Sequence, residues 1–136
     1  MSTDKPEITD VVNAQMPLGG TLGIRMFGDA DEVDATIDWA PELCTAGGVL
    51  HGGVLMALAD SVGAVCASLN LPEGATTTTT SSSTVFLRGV REGEVAATAR
   101  PLHAGRTVVV VRTDLADGAG RPVAQVTQTQ AVLAAP

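Results

Sequence analysis

The segment HGGVLMALADSVGAVCASL, from His51 to Leu69, restricts the fold of this chain more than any other stretch. With Gly52-Gly53 at its start and Asn70-Leu71-Pro72 at its end, it reads as one long helix. It is apolar on nearly every side, and such a helix is normally enclosed by the rest of a protein rather than laid on its surface. Asp60 is the one carboxylate in the run.

What surrounds the helix reads as sheet. After a polar leader, residues 1–16, that carries a short helix over Ile8 to Met16 and stops at Pro17-Leu18-Gly19-Gly20, strands are expected over Thr21 to Phe27 and Glu32 to Trp39. GDAD joins them as a hairpin. In the second strand Val33, Ala35, Ile37 and Trp39 alternate with Glu32, Asp34, Thr36 and Asp38, and the acidic set is expected to face water. Pro41 to Leu50 reads as a loop. From Thr76 the chain turns to β-formers: TTTTTSSSTVFL, then Gly93 to Leu102, Thr107 to Leu115 and Pro122 to Leu133. HAGR and ADGAGR are short enough for tight hairpins between the last three. The threonine and serine tract could serve as a linker, but threonine favours strands and the run continues into Val85-Phe86-Leu87. The expected fold is α+β, an antiparallel sheet curled round one helix.

A chain of 136 residues with 45% hydrophobic content suits a single domain, residues 1–136. Aromatic residues make up 2%, so Val, Leu, Ala, Ile and Met must fill the core. The formal charge of -7 disfavours nucleic acid, which is bound mainly through cationic contacts to phosphate. Residues 1–75 hold two basic and eleven acidic side chains, the remainder six arginines and four acids, so an anionic ligand would meet the second half. MSTDKPEITD lacks the basic, apolar pattern of a signal peptide, and the longest apolar run contains Asp60 and several glycines. A cytoplasmic protein with no membrane span is expected. Cys44 and Cys66 read as reduced, packed thiols, and two histidines, His51 and His103, do not make a histidine-rich metal site.

Nine helical residues separate His51 from Asp60 by about 13 Å along the axis and set them on roughly opposite faces. If both serve one site, that site is shared between two copies of the chain. The first turn of a helix has N–H groups without intrahelical acceptors, and Gly52 and Gly53 leave that end open to a carbonyl oxygen gaining negative charge. Asp60 in an apolar wall would then act as nucleophile or base. Each feature also has a plainer meaning. Asp60 can be an acceptor for Ser61 or for the Thr/Ser strand, His51 a helix cap, the glycine pair a close-packing device, and Cys44 beside His51 a reactive thiol in pattern only.

The residues His51-Gly52-Gly53, Leu58, Asp60 and Gly63 form H-G-G-x-x-x-x-L-x-D-x-x-G, which resembles the signature of the PaaI-type hotdog-fold acyl-CoA thioesterases. The resemblance extends through PLGGTLGIRM, FLRGVREG, LHAGRTVVVVRTDL and PVAQVTQTQAVL. It implies a five- to six-stranded antiparallel sheet wrapped round the central helix, in homodimers that often pair into homotetramers. It also implies an acyl-CoA substrate and no metal or cofactor other than the coenzyme A of that substrate. Within the family pattern Gly52 polarises the thioester carbonyl through its N–H, His51 supports that loop, and Asp60 of the facing subunit is nucleophile or general base. Thr79 falls near the attacking water. Gly53 borders the substrate, Gly105 and Arg106 lie near the coenzyme A moiety, and Arg88 and Arg91 are further phosphate contacts. Thr45 stands where many members carry asparagine, and a hydroxyl cannot reproduce the reach of an amide. That departure leaves a non-catalytic acyl-CoA-binding protein as the rival expectation.

Overall fold

The computed structural model describes residues 5–135, so the first four residues of the leader, and Pro136, lie outside the described residues. The elements run α1 (Thr9–Gln15), α2 (Pro17–Leu22), β1 (Arg25–Gly28), β2 (Val33–Asp38), α3 (Gly52–Ser68), β3 (Thr76–Phe86), β4 (Glu94–Ala104), β5 (Val108–Ala116) and β6 (Pro122–Leu133). All six strands form one sheet in the order β1-β2-β4-β5-β6-β3, and every pairing is antiparallel. The fold is α+β, as expected.

The sheet curls round α3. Val33, Ala35 and Ile37 of β2, Val95, Ala97 and Ala99 of β4, and Val109 and Val111 of β5 are fully buried, and so are Leu58, Ala59, Val62 and Cys66 of α3. Alanines on β4 and at Ala59 bring helix and sheet close, which lets a nearly non-aromatic composition reach interior packing. His51 caps the start of α3, its Nδ1 accepting from the Gly53 N–H at 2.7 Å. At the other end the Asn70 side chain donates to Cys66 O and to Ala30 O, each at 2.8 Å, so a terminal carbonyl of the helix is satisfied. Burial pushes the Cys66 thiol up to about 11, with the charge of Asp29 adding to it, so the group is an inert packing element.

Four expectations are corrected. Pro17 to Gly20 starts a second short helix rather than ending structure, because proline is well placed in a first helical turn. The strand expected from Thr21 begins only at Arg25, since Gly23 closes α2 in a left-handed conformation. Asp34 and Thr36 do not face water; they are 2% and 0% exposed. The leader runs along the free edge of β1, where Gly28 N donates to Pro6 O and Ile8 N to Met26 O, and from there Lys5 Nζ reaches Asp34 Oδ2 at 2.7 Å. Thr98 Oγ1 donates to the other Asp34 oxygen at 2.8 Å, while Glu32 pairs with both Lys5 and Arg100. Burial works against the Lys5 ammonium, yet hydrogen bonds and charge from Asp34 and Glu32 outweigh it and hold the group above its ordinary value. Hydrogen bonding to Lys5 in turn holds the Glu32 carboxyl below its ordinary value.

The fourth correction concerns α3. Gly53, Met56 and Asp60, which share one side of α3, are exposed in the single chain, so one face of the helix is uncovered rather than enclosed. The sheet supplies cover as far as β3, and among the described residues no strand continues it beyond that edge. Among the described residues no helix is long and apolar enough to cross a membrane, and no three His, Cys, Asp or Glu side chains are placed to hold a metal ion.

Candidate active site

The start of α3 is held by a network of short contacts. His51 N donates to Leu43 O at 2.9 Å and Leu50 N to Val90 O at 2.9 Å. Trp39 Nε1 donates to Gly48 O at 3.0 Å, and Arg91 Nη1 to Gly47 O at 2.9 Å. Gly47 and Gly48 both have positive φ, 77° and 74°, which lets this loop double back toward the helix. Two N–H groups of the first turn are used locally. Gly53 donates to His51 Nδ1, and Val54 donates to His51 O at 2.9 Å. The Gly52 N–H has no acceptor among the described residues. A Cβ on Gly53 would sit 2.9 Å from His51 Nδ1, so its glycine character serves the cap. With Nδ1 accepting, a neutral His51 ring carries its proton on Nε2. Phe86 at the end of β3 lies over Gly52, where a Cβ would come within 3.2 Å of its ring.

Asp60 lies two turns further along α3 and meets the other end of β3. Thr79 Oγ1 donates to Asp60 Oδ1 at 2.9 Å, and Gln128 Nε2 of β6 donates to the same oxygen at 3.0 Å. Gln130 Nε2 donates to Thr79 Oγ1 at 2.6 Å, and its own oxygen accepts from Thr77 Oγ1 at 3.1 Å. Thr79 pairs with Gln130, and Thr84 and Phe86 pair with Val126 and Ala124, so the irregularity between Thr79 and Ser81 shifts the inward phase of β3 by one residue. Asp60 therefore is an acceptor for the Thr/Ser strand, one of its two readings from sequence, while Oδ2 has no hydrogen-bond partner among the described residues. Gln128 and Gln130 carry no mark in any motif. Their signal was periodicity: Ala124, Val126, Gln128, Gln130 and Val132 are in phase along β6, so two amides occupy positions an apolar face would claim.

Among the described residues, none of the remaining candidates hydrogen-bonds to Gly52 or to Asp60. Thr45 is exposed, its N–H donates to Val49 O, and its hydroxyl has no partner among the described residues. Cys44 Sγ donates to Ala40 O at 3.4 Å. Gly105 packs on His103 in the β4–β5 hairpin, where Val132 N donates to Thr107 O, so exposed Arg106 lies at the sheet end where β6 finishes. Arg88 and Arg91 follow Phe86, which pairs with Ala124 near the start of β6, at the opposite end. One chain thus holds two half-sites: a free N–H with Phe86 at one end of α3, and an anchored carboxylate beside β3 farther along it. Beside the carboxylate half, Ala64, one turn beyond Asp60, opens an apolar groove of about 530 Å³ lined also by Val12, Met16, Val65, Leu71 and Thr77.

The chain resembles proteins of one family. Residues 47–124 match the family model described as the thioesterase superfamily. The crystal structure of a mutant thioesterase from Pseudomonas aeruginosa has a TM-score of 0.85 and 30% identity, covering 92% of this chain and 93% of that one. A thioesterase from Haemophilus influenzae has a TM-score of 0.85 and 32% identity, over 92% and 90% of the two chains. The 1,4-dihydroxy-2-naphthoyl-CoA hydrolase of Escherichia coli is 31% identical over 116 residues, 84% of this chain and 85% of that protein. Matched across most of its length in sequence and in the wrapped-helix architecture, this chain belongs to the thioesterase superfamily, as a thioester hydrolase of the hotdog fold.

Proposed function

We propose that the protein hydrolyses acyl-CoA thioesters in the cytoplasm, at a site assembled from two copies of the chain. The observation that carries this reading is the pair of complementary half-sites. The Gly52 N–H has no acceptor among the described residues, and Asp60 Oδ1 is anchored by two donors, yet the two lie eight helical residues apart, about 12 Å along α3. A two-fold dimer would set the Asp60 of each copy against the Gly52 of its partner and generate two equivalent sites. Edge strand β3, the uncovered face of α3 and exposed Met56, Val85, Phe86 and Leu87 support such an association. Pairing of dimers into a homotetramer is the further step that the family resemblance suggests.

In this site the thioester carbonyl oxygen accepts the Gly52 N–H, which stabilises the negative charge formed on attack. Two routes use the same carboxylate. As general base, Asp60 takes a proton from water while the water oxygen bonds to the carbonyl carbon; the C–S bond breaks, and the leaving thiolate takes the proton to give CoA-SH and the acid. As nucleophile, Asp60 bonds to the carbonyl carbon and expels the thiolate, and water then hydrolyses the mixed anhydride. Single-turnover hydrolysis in oxygen-18 water identifies the second when label appears in Asp60, which happens only if water attacks the aspartyl carbonyl of that anhydride. The groove beyond Ala64 would take the acyl group, and Arg106, Arg88 and Arg91 are the cations for the phosphates of coenzyme A. The E. coli relative, named for a CoA thioester, supports coenzyme A as the carrier.

The test is a panel of acyl-CoA thioesters with a thiol reagent, run on the wild type and on Asp60→Asn. Thiol release by the wild type that falls about 10²-fold or more in the variant is expected. Release untouched by the substitution would remove Asp60 from the chemistry. Acyl-CoA recovered intact with an inactive wild type would favour the binding-protein reading that Thr45 raises.

A further inference from the structure

Gln128 and Gln130 of β6 are buried, 1% and 0% exposed, and both feed Asp60, Gln128 directly and Gln130 through Thr79. The direction of this network follows from the donor inventory. An ionised carboxylate only accepts, so Thr79 spends its single proton on Asp60 and must itself accept from the amide nitrogen of Gln130. Gln130 then turns its oxygen to Thr77. The same rule makes Gln128 present its nitrogen to Asp60 and turns its Oε1 the other way, against Gly63. There Oε1 is buried and has no hydrogen-bond partner. A Cβ on Gly63 would lie 1.8 Å from it, so the glycine is what makes room for the amide.

An unpaired buried acceptor is a cost that a methionine or leucine at 128 would not carry. A residue that is locally unfavourable but bonded to the reacting group points to function. Resting on the hydrolase reading above, we propose that Gln128, with Gln130 acting through Thr79, is a positioning residue that occupies Asp60 Oδ1 and thereby makes Oδ2 the reacting oxygen. Two donors on one oxygen fill its share of lone-pair sites and stop the carboxylate turning about its last bond. Oδ2, with no partner among the described residues, is then held in one direction toward the incoming carbonyl or water, and a reacting atom fixed in advance lowers the barrier without altering substrate affinity. Gly63, the last residue of the sequence motif, enters the same device as the space for Gln128.

The test compares wild type, Gln128→Met and Gly63→Ala for kcat, KM and melting temperature on an acyl-CoA thioester that the wild type hydrolyses. Gln128→Met keeps the volume and removes both the donor and the orphaned acceptor. Its expected result is a kcat lowered about tenfold or more, a KM within about twofold of wild type, and a melting temperature no lower than wild type. Gly63→Ala, which displaces the amide from the other side, is expected to lower kcat in the same way without raising KM. Gln128→Met with wild-type kcat, or with kcat and melting temperature falling together, overturns the proposal while leaving the hydrolase reading intact. A wild type that releases thiol from no member of the panel overturns the hydrolase reading itself.

Discussion

At Gly52 a single backbone proton can be removed with little disturbance. His51 has φ -62° and ψ 134°, the extended conformation that a residue before proline adopts, and proline is well tolerated at the first position of a helix. The three atoms nearest an added Cβ belong to the tip of the Phe86 ring, the closest at 3.2 Å, so the ring must give by only a few tenths of an ångström. Gly52→Pro therefore deletes the N–H and keeps the helix. Thiol-release kinetics are expected to show kcat reduced about 10²- to 10³-fold with a melting temperature close to wild type, the size of loss that follows removal of one oxyanion donor elsewhere. Gly53 is a different case. Its N–H is committed to His51, so its contribution is to the cap rather than to substrate. Residue type alone left the two glycines equivalent; the family resemblance gave the carbonyl to Gly52, and the bond from Gly53 to the preceding ring commits the other N–H to the cap.

Among the elements, the leader and β3 carry the two predictions that reach beyond the site. Lys5 ties the leader to Glu32 and to buried Asp34. Because the Glu32 carboxyl is held below its ordinary value, its ion pair contributes stability above the unfolded-state value, and that contribution fades as pH falls through the lower folded value. The Lys5 ammonium, held above its ordinary value, loses its contribution only as pH rises past about 10.5. Lys5→Met should thus destabilise the protein near neutral pH and flatten the loss of stability as pH falls through and below the ordinary carboxylate range, as read by denaturant titrations. For β3, replacing exposed Val85 and Leu87 by glutamate places charge on the edge proposed to meet a second copy. Light scattering should then find the wild type at least dimeric and the variant monomeric, with activity lost alongside.

What was legible at this scale was local. The span of α3, the threonine strand and the three-strand run to the C-terminus could be read because caps, glycines and β-formers lie within each segment. Burial of Asp34 could not, since its partners Lys5 and Thr98 are 29 and 64 residues away in sequence. The amides of β6 were visible as polar residues in an apolar phase, but their meaning depends on which helix residue the sheet sets above them.

For the whole molecule, everything functional in this account turns on whether a site is made within one chain or between two. The uncovered face of α3 was not foreseen from a sequence that looks fit for complete enclosure, and a second copy is the cover that would reconcile the two. Asp60→Asn and Gly52→Pro chains, each inactive alone, carry lesions in different half-sites. Co-expressed with separate tags and purified through both, they should yield mixed dimers in which one of the two sites is intact, with about half the wild-type activity per dimer. Activity no higher than that of the parent variants, in dimers shown to hold both chains, would contradict the shared site.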